Sequence, residues 1–353
     1  MLSTCIQHLK SQPLWILILS SLGFLSLYKH TFSLLKLVFI TFLRPPKNLK
    51  ENYGSCALIT GSTDGIGKAF AFQLAQKGLN LILVSRNSQK LRSVSSEIQA
   101  QYPHTKIKVV VLDFSGDITE GIRVVEEAVE GVEVGVLVNN VGVSYPTARF
   151  FHEVEEEVWR RVVRVNLEGT TRVTRAVLKG MIERKRGAIV NVGSGAAIVV
   201  PSHPLYAVYA ASKAYAPLSL SLSLSLSLSF ITWNMKEKTN TLKANTLYVD
   251  QFSRSLHVEY KHFGIHVQCQ VPLYVSTKMA SKLASIEKSS FFIPTPENYA
   301  QAAIRRIGYE ARCTPYMTHS IQWFFASLLP ESILDSWRLS IGLSRRGKID
   351  IPY

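Results

Sequence analysis

The sequence predicts an α/β fold: one doubly wound parallel sheet preceded by an apolar N-terminal segment. Three observations predict it. From Ser55 onward, short apolar runs alternate with helix-period stretches, the pattern of strands joined by crossover helices. A glycine-rich turn, Gly61-Ser-Thr63-Asp-Gly65-Ile66-Gly67, stands between the first strand run and the first helix run. Further on, Tyr209 and Lys213 are spaced i, i+4, so a helix puts them on one face.

The first fifty residues hold six Lys/Arg and no acid. Leu14 to Tyr28 and Thr31 to Leu43 are apolar runs separated by Lys29-His30, and Arg44-Pro-Pro ends them. A membrane span takes about 20 residues, so the segment is either one long tilted helix or a short in-plane hairpin. No small-x-small cleavage site marks a removable leader. Arg44, Lys47 and Lys50 flank one side and Lys10 the other, which predicts a cytosolic body. The predicted organisation is a membrane anchor over 1–50, a dinucleotide-binding body over 51–312 and an apolar, aromatic segment over 313–353.

The first strand is Cys56-Ala-Leu-Ile-Thr60. The glycine turn after it lets backbone approach a pyrophosphate at the N-terminus of the following helix. Its glycine spacing is three then one, and Ile66 and Ala69 break the pattern of a phosphate-binding P-loop. Leu79 to Ser85 is the second strand. An acid at that strand's end holds the ribose of NAD, whereas arginine suits a 2′-phosphate. Here Arg86 follows, then Lys90, with no acid before Glu97, which predicts NADPH. Ile107 to Leu112, Val134 to Asn139, Gly187 to Gly193 and Gly264 to Val271 supply the remaining strands. The fifth delivers Ser194 at its carboxyl end, where ligands bind in open α/β sheets. Asn166 stands among apolar neighbours and must satisfy its amide internally.

Tyr209 and Lys213 explain the chemistry. A phenol has an ordinary pKa near 10, and an ammonium one turn away favours the phenolate. The pair can exchange a proton with a carbonyl oxygen while hydride moves at the carbon, with Ser194 holding that oxygen.

Thr60-Gly-x-x-x-Gly-x-Gly67, Asn139-Asn-Val-Gly142, Asn166, Ser194 and Tyr209-x-x-x-Lys213 together resemble the short-chain dehydrogenase/reductase family, over roughly Tyr53 to Thr277. Asn139 to Pro146, Val192 to Ala197, Cys269 to Val275 and Gly308 to Pro315 further resemble the membrane-bound very-long-chain 3-oxoacyl-CoA reductases of fatty-acid elongation. Their relatives are 17β-hydroxysteroid dehydrogenases, whose carbonyl substrates the same residues would serve. The resemblance implies a Rossmann fold with Tyr209, Lys213, Ser194 and Asn166 as catalytic residues, Asn166 holding a water in a proton relay from Lys213. It implies a cofactor site of Gly61, Thr63, Gly65, Ile66, Gly67, Arg86, Asp113, Asn140, Tyr209, Lys213 and Thr277, with Asp113 on the adenine and Thr277 on the nicotinamide amide. It also implies an endoplasmic-reticulum membrane enzyme acting on acyl-CoA. Its partners would be the condensing enzyme, dehydratase and enoyl reductase of elongation, and a homodimer is a further possibility. Leu273 stands where the wider family has glycine, as the elongation reductases resemble.

Composition agrees. The chain carries 40 Lys+Arg against 25 Asp+Glu, a net charge of +15, without a clustered basic helix interleaved with aromatics; this favours a membrane surface or an acidic substrate over nucleic acid. Cys5, Cys56, Cys269 and Cys313 are scattered and match neither a metal nor a disulfide pattern. The resemblance makes Lys278 to Thr295 the segment that covers the substrate, and its Lys278, Lys282 and Lys288 either meet a CoA phosphate or are surface lysines. The run Ile321 to Leu343, interrupted by Pro330, either lies against a membrane or packs on the domain.

One stretch departs from the family. Leu and Ser alternate from Leu218 to Ser229, and a polar stretch continues through Leu247. Removing 216–248 joins Tyr215 to Val249 and sets Tyr215, Phe252 and Leu256 on one helix face. The stretch reads as a low-complexity insertion from a retained intron or misplaced exon boundary; an evolved regulatory loop is the alternative. Either way it threatens the placement of Lys213, which leaves a non-catalytic membrane scaffold as the contrasting function.

Overall fold

The computed structural model describes residues 13–195, 201–213, 248–284, 286 and 288–346. The expectations for Cys5, Lys10, Tyr215 and the Leu/Ser stretch lie outside these residues. The chain divides into two compact units, Met1–Pro45 and Pro46–Tyr353.

The first unit is one helix, α1 (Leu14–Val38), whose end widens into a π turn over Phe39–Leu43 before Arg44 turns extended. Lys29-His30 does not break it, so of the two sequence alternatives the single helix forms. Leu14–Leu43 is long and apolar enough to cross a membrane, and its large side chains stand exposed.

Among the described residues the second unit is built on seven strands, all parallel: β1 (Cys56–Thr60), β2 (Asn80–Ser85), β3 (Ile107–Val111), β4 (Val134–Asn139), β5 (Gly187–Val192), β6 (Ile265–Gln270) and β7 (Arg312–Cys313). Their order is β3-β2-β1-β4-β5-β6-β7. Strands β1, β4 and β5 are buried on both faces, which is why they read as unbroken apolar runs rather than alternating ones. At the edge, β3 leaves Val109 and Val111 exposed. The two-residue β7 is too short to leave a periodic signal, and the sequence did not indicate it.

Two helical layers cover the sheet. On one face lie α2 (Leu49–Tyr53), α3 (Gly65–Gln76), α4 (Ser88–Gln101) and α11 (Pro296–Ile304), which bury Phe70, Leu74, Leu91, Ile98 and Tyr299. On the other lie α5 (Thr119–Val129), α7 (Gly169–Arg184) and α9 (Val249–Tyr260), which bury Val125, Val173, Val177 and Met181. Helix α6 (Glu156–Val163) runs into α7 through a π turn, Arg164–Glu168. The remaining helices are α8 (Ala207–Lys213), α10 (Lys278–Ala284), α12 (Met317–Ala326) and α13 (Glu331–Arg346). Asp64, Asn87 and Thr295 cap α3, α4 and α11 with their side chains. Winding reverses between β1 and β4, and that reversal opens a crevice at the carboxyl edge of the sheet.

Two sequence expectations near the C-terminus resolve here. Pro330 does separate two helices, and α13 packs inward through Leu334, Arg338 and Gly342 while Ile333 and Trp337 stay exposed. Helix α9 begins at Val249, and Tyr248 before it stacks on Phe252 at 5.5 Å and hydrogen-bonds Thr171 of α7. Ala210 of α8 joins Tyr248 and Val249 against Cys269 and Val271, so α8 and α9 pack as neighbours.

Candidate active site

The glycine turn, Arg86, Asp113, Asn140, Ser194 and Thr277 follow the carboxyl ends of strands, Tyr209 and Lys213 lie on α8, and Asn166 lies in the π turn between α6 and α7. The glycine turn leaves β1 with Gly61 at φ +66° and Gly65 at φ +50°, where a side chain would be strained. Gly67 must lack a side chain for another reason: a Cβ there would stand 2.2 Å from the Gly61 carbonyl and 2.4 Å from Asn140 Nδ2. Asn140 spends its amide on this turn, donating to the Thr60 and Gly61 carbonyls at 3.1 and 3.2 Å. It fastens the loop after β4 to the glycine turn, a second role beyond the expected one. Thr63 Oγ1 meets Ser85 Oγ at 2.9 Å, which ties the turn to the end of β2. Ile66 packs partly buried against the core. Thr277 presses its methyl on Gly65, 3.1 Å from where a Cβ would be, and caps the first turn of α10.

These residues fit a dinucleotide. The first-turn amides of α3 open on a cleft of about 420 Å³ lined by Asp64, Gly65, Lys68, Thr277 and Lys278. Arg86 stands exposed at the end of β2, with only the cap residue Asn87 between it and α4. Asp113 follows β3, and its carboxylate accepts from the Ser115 amide at 3.0 Å and hydroxyl at 2.7 Å. Burial works to raise its pKa, but these bonds and the Arg86 charge prevail and hold it below the usual carboxylate range.

The reactive group is built from β5 and α8. Ser194 is gripped on both sides: Gly193 N donates to Gln270 O at 2.8 Å, and Gly195 N to Pro272 O at 2.6 Å. Helix α8 then brings Tyr209 across, its hydroxyl donating to Ser194 Oγ at 3.3 Å. Two oxygens thus converge on one point, where a substrate carbonyl can accept from both.

Lys213 is 5% exposed, and its ammonium donates to the Val192 carbonyl at 3.0 Å. Burial lowers its pKa from 10.5 to about 8. For Tyr209 the sequence expectation of a lowered phenol is corrected. Burial raises it above 10.0, and the Ser194 hydrogen bond offsets only part of that rise. An ammonium drawn to a strand carbonyl is not positioned to reverse the desolvation of the phenol.

The lysine has a pH consequence. In the unfolded chain it binds a proton up to about 10.5, whereas in the cofactor-free fold it releases it near 8. Between those values the unfolded state holds more protons, so this group's contribution to stability rises with pH. Denaturant titrations of the protein and its Lys213→Met variant at pH 7.5 and 9.5 should show the variant's relative advantage shrinking by on the order of 1–3 kcal/mol. A pH-independent difference would mean that Lys213 stays protonated in the fold.

Asn166 occupies the π turn between α6 and α7, an extra residue in the turn that swings its side chain inward. Its Oδ1 accepts from Val143 N at 2.9 Å, and its Nδ2 donates to Val143 O at 3.0 Å and Ser212 Oγ at 2.9 Å. Ser212 in turn donates to the Tyr209 carbonyl at 2.8 Å. Both protons of this amide are committed to protein, and the side chain clamps the loop after β4 to α8, a role beside the relay that the resemblance implies.

The sequence missed a buried polar ladder beneath the site. Asn139 donates to Thr174 and Asn191 at 2.9 and 2.8 Å, and Asn191 donates to Ser253 at 2.9 Å, joining β4, β5 and α9. Asn139 ends β4 and Asn191 stands next to last in β5, and the other residues of both strands are apolar or glycine. That contrast was the available signal.

A short chain dehydrogenase profile matches residues 55–234. The chain is 51% identical to a very-long-chain 3-oxoacyl-CoA reductase-like protein of Arabidopsis thaliana, across 98% of this chain and 99% of that one. The chain belongs to the short-chain dehydrogenase family. It is an oxidoreductase by family, and the family's cofactors are nicotinamide dinucleotides. It is also 38% identical to the very-long-chain 3-oxoacyl-CoA reductase of Anas platyrhynchos, over 80% of this chain and 78% of that one. An inactive hydroxysteroid dehydrogenase-like protein 1 of Homo sapiens is 37% identical, over 85% and 80%. Among solved structures, a 7β-hydroxysteroid dehydrogenase superposes with a TM-score of 0.65 at 21% identity, covering 83% of this chain and 99% of that one; this is a likeness of fold.

Proposed function

We propose that this short-chain dehydrogenase is an NADPH-dependent reductase of very-long-chain 3-oxoacyl-CoA, anchored in the endoplasmic-reticulum membrane with its body in the cytosol. The observation that carries the reading is the 51% identity, over nearly the whole of both chains, with a protein named for that reaction. Residues 1–50 are the anchor, 51–312 the reductase body and 313–353 a closing segment. Arg44, Lys47 and Lys50 beside the apolar helix favour the cytosolic side for the body. Arg86, with no acid at the end of β2, favours the 2′-phosphate of NADPH. The partners of such an enzyme are the condensing enzyme, dehydratase and enoyl reductase of elongation, and a second copy of the chain.

Bound in the cleft beside α3, the reduced nicotinamide supplies the hydride. Ser194 and Tyr209 hold the C3 carbonyl oxygen between them, and Tyr209 gives that oxygen its proton. Lys213 holds the ribose and recharges the phenol. Asn166 keeps the loop after β4 and α8 in register, a positioning role. The same set would reduce a 17-ketosteroid.

A second reading rests on the relatives named inactive and on residues 216–248, which follow α8 almost at once. It is a membrane scaffold that binds cofactor without turnover. The test is NADPH oxidation by the full chain with a very-long-chain 3-oxoacyl-CoA beside a 17-ketosteroid. Turnover of the thioester supports the proposal. Steroid turnover alone moves the activity to hydroxysteroids, and NADPH binding without either leaves the scaffold.

A further inference from the structure

Between α10 and α11 the chain folds into a tight hairpin. Ser290 N donates to Ile293 O at 2.8 Å, and Ile293 N donates back to Ser290 O at 3.1 Å. The residues at its tip are Phe291 and Phe292, 67% and 50% exposed, with their rings edge to face at 5.2 Å. Turn tips ordinarily carry small or polar residues, so two exposed phenylalanines there need a reason. The tip is also held in place. Thr318 Oγ1 donates to the Phe291 carbonyl at 3.0 Å, and Gln322 Nε2 to the Phe292 carbonyl at 3.1 Å. Both donors belong to α12, and Phe325 follows them on the same helix face, 62% exposed. The apolar surface continues along the chain through exposed Leu328 and Leu329. On α13, Ile333 and Trp337 stand exposed one turn apart, beside the buried row of Leu334, Arg338 and Gly342.

The elements that bear this surface also bound the site. On the buried side of α12, His319 Nδ1 accepts from Leu273 N at 3.3 Å, and its Nε2 lies 3.1 Å from the Tyr274 carbonyl. Leu273 in turn packs on Gly195, next to Ser194. At the base of the hairpin, Ser276 N donates to Pro294 O at 2.9 Å, beside Thr277.

Exposed apolar area of this kind marks a surface that meets something else. Only Arg44–Asn48 join the π turn after α1 to α2, a reach on the order of 20 Å when extended. Leu49 and Tyr53 of α2 are buried in the core, so a body whose α1 crosses a bilayer stays within that reach of the bilayer surface. Tryptophan and other amphipathic rings favour the interfacial layer of a membrane. Lys288, exposed just before the hairpin tip, and the chain's net charge of +15 suit anionic headgroups.

We propose that Phe291, Phe292, Phe325, Leu328, Ile333 and Trp337 form a docking face that seats the body in the interfacial layer of a lipid bilayer, a lipid contact separate from α1. The inference rests on the reading of residues 1–50 as an anchor. It presents the segment Lys278 to Thr295 to the phase that dissolves a very long acyl chain.

The full chain is reconstituted in vesicles of phosphatidylcholine and phosphatidylserine with photoreactive p-benzoylphenylalanine in place of one residue. After irradiation the adducts are identified by mass. Unchanged NADPH affinity shows that each substituted chain is folded. Phe291 and Phe325 positions should yield lipid adducts. Val258 of α9, 76% exposed, should yield none, and Leu22 of α1 reports the anchor. Lipid adducts at Leu22 with none at Phe291 and Phe325 overturn the docking face and keep the anchor. The opposite pattern sinks the anchor reading and keeps the face. Adducts joining two copies of the chain at Phe325 overturn lipid as the occupant and make the face an interface between copies. Lipid adducts as abundant at Val258 as at Phe325 overturn the face as well, because lipid then touches the body without preference.

Discussion

Replacing Tyr209 with phenylalanine is expected to lower kcat for 3-oxoacyl-CoA reduction by on the order of 10²–10⁴-fold, with NADPH affinity held. The ring stays in place, so the packing of α8 is undisturbed. What goes is the proton donor 3.3 Å from Ser194 Oγ. Ser194→Ala should cost less, on the order of 10²-fold, because one of two groups on the carbonyl oxygen survives. The raised phenol also sets a direction. A group with its pKa above 10.0 is fully protonated at neutral pH, ready to give a proton to a forming alkoxide. The reverse reaction needs the phenolate and must draw it from a small population. Reduction should therefore be flat from pH 6 to 8, while oxidation of the 3-hydroxyacyl product climbs with pH over the same span. Rates measured in both directions at fixed cofactor saturation check this, and an oxidation rate already flat at pH 7 would mean that bound cofactor depresses the phenol.

Much of this site was legible because its parts are local in sequence. The turn from Gly61 to Gly67 announces its backbone conformation through glycines, and Tyr209 and Lys213 share a helix face by spacing alone. The interior strands were read to within a residue or two, since burial on both faces leaves continuous apolar runs. Apart from the two-residue β7, which is too short to show a period, the misses turn on long-range contacts. The amide of Asn166 binds Val143, far along the chain, so its partners could not be read from its neighbours. The direction of the Tyr209 shift depends on how deeply α8 is buried, a property of the whole body and not of an i, i+4 pair. Arg338 looks like a surface residue on an amphipathic helix until α13 is seen to turn that face inward.

Deleting residues 216–248 is expected to leave a folded protein with at least the reductase activity of the full chain, and with higher stability. The deletion joins Tyr215 to Val249, so a tyrosine again precedes α9. That slot is demanding: Tyr248 hydrogen-bonds Thr171, stacks on Phe252 at 5.5 Å and has helical φ and ψ. Tyr215 offers the same ring and hydroxyl, so these contacts can be remade. Removing the stretch also shortens the connection between α8 and α9, and the entropy of closing that connection falls by on the order of 1–3 kcal/mol. For a body of this size that is a rise in Tm of roughly 2–4 °C per kcal/mol. The activity gain depends on Lys213, now the last described residue of α8. In the shortened chain, carbonyls and amides of a continuing helix would fix the turn that carries it, and a displacement of about 1 Å at such a group is worth on the order of 10²-fold in rate. Comparing Tm and NADPH oxidation for the two chains decides the matter. Higher stability with equal activity means that Lys213 is already held by Val192 and its burial. Activity in the shortened chain alone means that the interruption disarms an otherwise complete site. Loss of both in the deletion would show that residues 216–248 belong to the fold.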